Sequence, residues 1–218
     1  MTDQQIHSTI KILRRTVRAW RMPYVTEMVQ TQRDPFRVLI STMLSLRTKD
    51  AVTEVASKKL FALADTPRAM LKLTPRQIEQ AIYPVGFYHT KASSILQVCR
   101  QLIEEYASRV PDEIDELVKL PGVGRKTANL VLTLGYNKLG ICVDTHVHRI
   151  TNRWGYVKTK TPEQTEMALR EKLPQRYWIE INDLLVTYGQ NLCHPTSPHC
   201  SKCPIQKYCK RVGVTRNR

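Results

Sequence analysis

Four cysteines near the end of the sequence form its densest group of chemically active side chains. They follow the spacing C-x6-C-x2-C-x5-C. Four thiolates on one short loop can bind a tetrahedral zinc ion or a [4Fe-4S] cluster, and the spacing alone does not separate these two possibilities. A metal centre would also order a segment with little apolar material of its own. The candidate ligands are Cys193, Cys200, Cys203 and Cys209.

Disulfide bonds are a third possibility for these thiols, and the rest of the sequence disfavours them. The N-terminus is polar and lacks the apolar core of a signal peptide. No apolar run approaches the ~20 residues of a membrane span. We therefore expect a cytoplasmic, nucleoid-associated protein, because clustered thiols in a reducing compartment bind metal more often than they pair.

The chain is strongly basic. It contains 34 Lys and Arg residues against 19 Asp and Glu residues, a formal net charge of +15. A polyanion such as nucleic acid is therefore the expected partner. A soluble protein that is merely basic would carry the same charge, so the motifs have to separate the two cases.

A glycine-rich segment at residues 120–128 (LPGVGRKTA) predicts a helix, a tight turn and a second helix. Glycines in such a turn leave backbone N–H groups unobstructed. Together with the positive end of the second helix, these groups can hold a phosphate without reading a base. An ordinary connection between two helices is the alternative. The candidate phosphate contacts are Gly122, Val123, Gly124 and Arg125.

Lys126 is a candidate nucleophile in the first turn of that second helix. The positive end of the helix dipole and the neighbouring Arg125 both disfavour a charged ammonium there. A Schiff-base nucleophile needs a neutral amine, so the position suits imine chemistry. A solvated lysine that contacts one more phosphate is the alternative interpretation.

Asp144 is a candidate catalytic carboxylate at the expected start of another helix. An aspartate directly before a helix is commonly just an N-cap, which is the competing interpretation. His146 and His148 follow, but two histidines two residues apart do not share a helix face and do not make a metal pair. We keep His146 as a candidate DNA contact, with a structural role as its alternative.

Helical periodicity dominates the segments around these motifs. In the first segment Ile6 and Ile10 fall on one face and several basic residues on the other, which predicts a basic amphipathic helix. Thr-Pro pairs at 66–67, 74–75 and 161–162 place a capping threonine before a proline, and the last two also match the capping box. No segment shows the alternation of a strand. We predict an all-α protein with about nine to eleven helices.

Together these motifs resemble the endonuclease III family of helix-hairpin-helix DNA glycosylases. The hairpin at 120–128, the VDTH segment at 143–146 and the four-cysteine loop occur in the order and spacing of that family. The resemblance runs from about Asp34 to Cys209. Because the cysteine loop of the family holds a [4Fe-4S] cluster, the resemblance favours this cluster over zinc.

The resemblance implies a helix-hairpin-helix glycosylase fold with two domains. Residues 28–138 correspond to a six-helix barrel domain that includes the hairpin. Residues 1–27 and 139–218 correspond to an iron-sulfur cluster domain, and double-stranded DNA is expected in the cleft between the domains. A monomer is the family expectation.

The implied activity is removal of an oxidised pyrimidine from duplex DNA, followed by cleavage of the strand. Lys126 matches the nucleophile of the family and Asp144 its motif carboxylate. The damaged base must leave the stack before its sugar can be attacked. Asp144 then supports Lys126 and stabilises positive charge on the sugar, an imine forms, and elimination breaks the strand on the 3′ side of an abasic site.

Two loops of the family fill the hole that an extruded base leaves. Residues 45–50 match the first loop, with Arg47 where many bacterial members carry Gln, and residues 86–91 match the second, with Phe87 where Leu is common. Phe87 suits an apolar wedge, and Arg47 can bond to or stack on the orphan base. The alternatives are a core Phe and a phosphate-binding Arg. These departures mean that the opposite-base preference is not carried over from the family.

Two other functions use parts of the same sequence. A monofunctional mismatch glycosylase would release thymine or uracil opposite guanine by activating water, but such relatives typically lack a lysine at the position of Lys126. A non-enzymatic iron-sulfur DNA-binding or redox module would use the same charge, hairpin and cysteines. On the sequence, only Lys126 and Asp144 separate that module from an enzyme.

Overall fold

The structure, a computed structural model, describes residues 1–218 and contains twelve α-helices and no β-strand, which confirms the all-α prediction. The count exceeds the predicted range because α5 and α8 are single turns of 4 residues each. None of the helices combines the length and apolarity needed to cross a bilayer. The helices are α1 (Asp3–Thr16), α2 (Tyr24–Thr31), α3 (Pro35–Ser45), α4 (Asp50–Leu63), α5 (Pro67–Met70), α6 (Pro75–Ile82), α7 (Tyr88–Glu105), α8 (Ile114–Leu117), α9 (Arg125–Leu130), α10 (Thr145–Arg153), α11 (Pro162–Lys172) and α12 (Ile181–Asn191).

The chain divides into two compact units. We call Tyr24–Gly140 the central unit. Met1–Pro23 and Ile141–Arg218 together form the second, which we call the terminal unit. The first helix therefore shares a core with the last third of the chain and not with the helices that follow it directly.

The central unit consists of α2 to α9 and a π-helical segment at Val131–Gly135 that continues α9. Two of its helices, α5 and α6, begin at the predicted Thr-Pro signals. Asp34 caps α3 by accepting from Phe36 N at 2.8 Å, and the predicted capping box of Thr74 and Gln77 closes the start of α6. The long α7 packs against α5, α6 and α3. Fully buried side chains of this unit include Leu39, Ile40, Leu44, Leu60, Ile78, Ile82, Ile95 and Leu102.

The terminal unit consists of α1, α10, α11 and α12 with the cysteine-bearing segment. As predicted, α1 is amphipathic: Ile6 and Ile10 are fully buried, whereas Lys11 and Arg15 are exposed. The apolar face of α1 joins one hydrophobic cluster with residues of the other three helices. That cluster includes Leu13, Val147, Ile150, Trp154, Leu169, Ile181, Leu185 and Tyr188.

The capping box predicted at the start of α11 is half right. Thr161 Oγ1 accepts from Gln164 N at 3.2 Å, as the pattern requires. The Gln164 side chain accepts from Lys160 N at 2.9 Å, and not from the backbone N–H of Thr161. The Gln164 side chain thus accepts from the backbone N–H of the residue before the N-cap, whereas in a capping box it would accept from the N-cap itself.

Candidate functional site

The glycine-rich turn at residues 120–124 joins α8 to α9, as predicted. Gly122 adopts a left-handed φ of 76°, and Val123 N donates to Leu120 O at 3.0 Å. The Val123 side chain is buried and fixes the turn to the core, whereas Gly122 and Gly124 are exposed. A Cβ added at Gly124 would meet no atom within 4 Å. The backbone directly before α9 is therefore open to an approaching ligand.

Lys126 lies in the first turn of α9 and is half-buried. The four residues after it, 127–130, are all buried and fasten the short helix to the core of the central unit. The π-helical segment that follows is buried too. The lysine thus projects from the first turn of a firmly packed helix, next to the open turn.

Asp144 is the N-cap of α10 in the terminal unit. Its Oδ1 accepts from His146 N at 2.8 Å and from Val147 N at 2.9 Å. The approach to this cap is held by Asn182 of α12, whose Nδ2 donates to Cys142 O at 3.1 Å. The capping role that competed with catalysis at this residue is therefore real, and it uses one of the two carboxylate oxygens.

His146 points toward the cysteine-bearing segment. Its Nδ1 pairs with Arg149 Nη2 at 3.1 Å, and the same guanidinium donates to Cys193 O at 2.8 Å. The ring packs so closely on Gly189 of α12 that a Cβ there would collide with it. These contacts give His146 a structural role in the terminal unit, which was the alternative to DNA contact.

The two loops that carry Arg47 and Phe87 lie side by side in the central unit. Arg47 Cζ lies 5.5 Å from the centroid of the Phe87 ring, in a cation–π contact. Phe87 is 61% exposed, so the interpretation as a core residue is wrong. Both residues have left-handed backbones, with φ of 53° and 59°. Non-glycine residues adopt this conformation when their surroundings enforce it, which is common at functional sites.

Lys91 was not singled out by the sequence patterns, yet it connects these two loops. Its Nζ donates to Leu44 O at 2.8 Å, to Leu46 O at 2.6 Å and to Thr48 Oγ1 at 3.2 Å. Burial lowers the pKa of the Lys91 ammonium to about 8. A signal was present: the apolar stripe of α7 at 95, 98 and 102 extends back by one turn to position 91.

The four predicted metal-ligand cysteines line one small cavity of about 30 Å³ in the terminal unit. The cavity walls are largely apolar and include Trp154, Tyr188, Leu192 and Ile205.

Several polar hydrogens point at the sulfurs of this cavity. Arg153 Nη1 donates to Cys193 Sγ at 3.4 Å, and Arg211 N donates to Cys209 Sγ at 3.4 Å. The Tyr188 hydroxyl lies 2.9 Å from Cys203 Sγ. The structure thus brings the four predicted ligands together and surrounds them with hydrogen-bond donors.

No three His, Cys, Asp or Glu side chains in the protein converge tightly enough to hold a single metal ion. Zinc thiolates lie about 2.3 Å from the ion, which requires the sulfurs to meet around one point.

Comparison with known proteins agrees with this geometry. A family model for the HhH-GPD superfamily of base excision DNA repair proteins matches residues 40–175. The endonuclease III of Thermotoga maritima is 50% identical over 190 residues, which cover 85% of this chain and 89% of that protein. The endonuclease III-like protein 1 of Gallus gallus is 45% identical over 177 residues, 80% of this chain and 63% of that protein. The chain therefore spans less than two thirds of the length of the chicken relative.

Solved structures show the same similarity. A trapped covalent intermediate of an endonuclease III with DNA matches with a TM-score of 0.86 and 32% identity, covering 97% of both chains. A thermostable thymine-DNA glycosylase matches with a TM-score of 0.74 and 24% identity, covering 94% of this chain and 98% of that one. At that identity the second match concerns the fold alone.

Proposed function

The chain belongs to the endonuclease III family, within the HhH-GPD superfamily of base excision DNA repair proteins, and from this membership we propose how its residues perform the reaction. The protein is a bifunctional DNA N-glycosylase and abasic-site lyase that acts on oxidised pyrimidines in double-stranded DNA. The observation that carries the assignment of roles is the lysine in the first turn of α9, directly after an open glycine turn.

Lys126 is the nucleophile. Its Nζ attacks C1′ of the damaged nucleotide, the bond from C1′ to the base breaks, and the base leaves with a proton from solvent. Opening of the sugar ring gives an imine between Nζ and C1′. Loss of a proton from C2′ then expels the 3′ phosphate, which cleaves the strand by β-elimination.

Asp144 is the supporting carboxylate. Its Oδ1 is held by two backbone N–H groups of α10, which fixes the orientation of the carboxyl group. Oδ2 is the oxygen that takes the proton from Lys126 and stabilises positive charge on the sugar. The cap therefore serves the catalytic role by orienting the group.

The turn at 122–125 grips a backbone phosphate of the DNA. The open space over Gly124 lets a phosphate approach the backbone N–H groups, and the N-terminus of α9 adds favourable electrostatics. This contact positions the duplex without reading its sequence. His146 remains a proposed DNA contact beside its structural contacts with Arg149 and Gly189.

Phe87 and Arg47 occupy the space that the extruded base leaves. An exposed phenyl ring can stack between base pairs as a wedge, and the guanidinium that lies over it can bond to the orphan base. The cation–π contact keeps the two side chains together.

Cys193, Cys200, Cys203 and Cys209 bind a [4Fe-4S] cluster. Two features support the cluster over zinc: family membership, and an apolar cavity whose sulfurs accept hydrogen bonds from Arg153 and from the backbone N–H of Arg211. These four thiolates would hold the cluster and so fix the cysteine-bearing segment, and the steps of base removal above use no metal ion. We assign the terminal unit to the proposed cluster domain (1–27 and 139–218) and the central unit to the proposed barrel domain (28–138). The proposal further includes a monomeric state and a cytoplasmic location.

Borohydride trapping tests the assignment of Lys126. Duplexes with thymine glycol, an abasic site or a G·U pair are incubated with the native protein, with Lys126→Gln and with Lys119→Gln, which changes an exposed lysine near the same hairpin. We expect a covalent adduct and strand cleavage for the native and Lys119→Gln proteins and neither for Lys126→Gln. Base release without an adduct in the native protein would indicate the monofunctional mismatch glycosylase, and binding without either reaction would indicate the non-enzymatic module.

A further inference from the structure

We propose that Lys91 is a positioning residue for base extrusion: its ammonium ties the loop of Arg47 to the turn of Phe87 and so holds the wedge and its partner together. This inference rests on the proposed roles of Arg47 and Phe87. It goes beyond them because Lys91 touches neither DNA nor the reacting atoms.

The first argument is the match between donors and acceptors. An ammonium carries three N–H donors and no acceptor. Lys91 Nζ has three acceptors, Leu44 O, Leu46 O and Thr48 Oγ1, at 2.6 to 3.2 Å. All three belong to the end of α3 and the loop behind it, which contains Arg47. Every donor of the ammonium is thus directed at the Arg47 loop.

The second argument is the place of Lys91 on its own helix. Lys91 N donates to Phe87 O at 3.0 Å, so the two residues form the first turn of α7. The backbone of Phe87 is therefore held one helical turn from the residue whose ammonium binds the Arg47 loop. The ammonium also lies at the C-terminus of α3, where helix carbonyls lack intrahelical partners and a cation is stabilised by the dipole.

Thr48 and Gly86 complete the connection between the two loops. The Thr48 hydroxyl donates to Leu46 O at 3.2 Å and accepts from Gly86 N at 3.2 Å. A Cβ at Gly86 would lie only 2.7 Å from Arg47 O, so the loops touch through backbone atoms. The left-handed conformations of Arg47 and Phe87 need surroundings that enforce them, and this set of contacts provides them.

The alternative is that Lys91 is one more lysine for a DNA phosphate. Lys91 is only 8% exposed, and its three donors are already directed at protein oxygens. A phosphate contact would require the side chain to leave its site. The geometry therefore assigns Lys91 an indirect role, which makes a distinct kinetic prediction.

The test compares base release with strand cleavage at a preformed abasic site, which has no damaged base to extrude. Lys91→Met keeps the length of the side chain and removes its donors. We expect single-turnover base release from a thymine glycol duplex to slow about tenfold to a hundredfold, since small misplacements cost that much. Cleavage of the abasic duplex should change by less than about threefold.

A double-mutant cycle with Phe87→Ala distinguishes positioning from general destabilisation. If Lys91 acts through the wedge, Phe87→Ala will slow base release far less in the Lys91→Met protein than in the native one. Ile95→Val, a core truncation on the same face of α7, is the matched control and should lower the melting temperature without changing the ratio of the two activities. Thr48→Val, which removes the hydroxyl that accepts from both Lys91 and Gly86 N, replaces Lys91→Met in the same cycle if that variant does not fold.

Each outcome has one meaning. Additive effects, or equal slowing of both activities by Lys91→Met, would overturn the inference and leave Lys91 a structural residue. If Phe87→Ala and Arg47→Ala themselves leave base release unchanged, the proposed wedge is wrong, whatever Lys91 does.

Discussion

At Gly124, the residue before α9, an added methyl group would meet no heavy atom of the protein within 4 Å. Gly124→Ala should therefore cost less than about 1 kcal/mol of stability, the usual effect of alanine at an N-cap. The same methyl would stand where a phosphate is proposed to bind, so affinity for duplex DNA should fall clearly. Urea denaturation and fluorescence anisotropy with an intact duplex measure the two effects.

Gly122→Ala, in the same turn, is the comparison for Gly124→Ala. Its φ of 76° is left-handed, so alanine should lower stability by about 1 kcal/mol through backbone strain. Native affinity in Gly124→Ala would contradict the phosphate role of the turn.

The pKa of Lys91 makes a prediction about stability and pH. The folded protein releases the Lys91 proton near pH 8, whereas the unfolded chain keeps it up to its ordinary value of 10.5. Since the unfolded state binds more protons between these values, the contribution of Lys91 to stability rises as pH increases through that range. The stability difference between the native and Lys91→Met proteins should grow in favour of the native protein by about 2 kcal/mol from about pH 7.5 to 10. Denaturation curves at both pH values check this. A stability difference that does not change with pH would show that burial does not lower the pKa of Lys91.

Asp144 illustrates how far individual residues could be predicted from the sequence. The pattern offered two interpretations, an N-cap and a catalytic carboxylate, and local reasoning favoured the cap. The structure confirms the cap at Oδ1 and leaves Oδ2 for the proposed chemistry. The two interpretations were not exclusive, because a carboxylate has two oxygens.

Among the elements, α10 connects the proposed catalytic carboxylate to the cysteine cavity. Asp144 caps its start, and Arg153 at its end donates to Cys193 Sγ, His194 O and Pro195 O. Arg153 is 8% exposed and pairs with carbonyl groups and a sulfur. The end of this helix thus holds the first part of the cysteine-bearing segment.

Arg153→Met should weaken metal retention, because it removes the donor to two carbonyl groups and one sulfur of the cysteine-bearing segment. We expect loss of brown colour and of iron and sulfide content after dilution, with a fall in stability of about 2 to 4 kcal/mol. Arg176→Met, at an exposed arginine of the same unit, is the matched control and should retain the iron. Full iron content in Arg153→Met would mean that the thiolates alone hold the segment.

The close contact between the two loops predicts the effect of Gly86→Ala. A Cβ 2.7 Å from the Arg47 carbonyl oxygen forces backbone atoms apart, and overpacking of this kind costs about 1 to 3 kcal/mol. Base release should slow more than abasic-site cleavage, as for Lys91→Met. Thr90→Ala, at an exposed position of the same segment, should leave melting temperature and both rates unchanged. Unchanged kinetics in Gly86→Ala would mean that loop spacing does not govern extrusion.

The elements that the sequence predicted well are those specified by local patterns. Thr66 and Thr74 cap their helices, and α1 buries the predicted face, because capping and periodicity involve residues within a few positions of each other. The pairing of Arg47 with Phe87 could not be derived in this way, since it depends on contacts between residues about forty positions apart. The buried position of Lys91 was missed for a different reason. Lysines are expected at the surface, and only the alignment of position 91 with the apolar face of α7 indicates burial.

At the scale of the whole molecule, the net charge of +15 makes DNA affinity sensitive to salt. Each phosphate contact releases counterions, so four such contacts would lower affinity about a hundredfold between 50 and 200 mM salt. Titrations of an undamaged duplex over this range give the slope. A flat salt dependence would contradict a phosphate-dominated interface.

The way in which the chain is shared between the two units also sets an order of events during its synthesis. The central unit leaves the ribosome complete while most of the terminal unit is still being translated. It can therefore fold first, as domains of nascent chains generally do. Throughout this interval α1 has no partner for Ile6, Ile10 and Leu13, which become buried only against helices that follow the central unit in the chain. A nascent chain of this protein thus displays an apolar helix until residues 141–218 emerge, and a ribosome that stalls before then would release a product with a folded central unit and an exposed, chaperone-binding first helix.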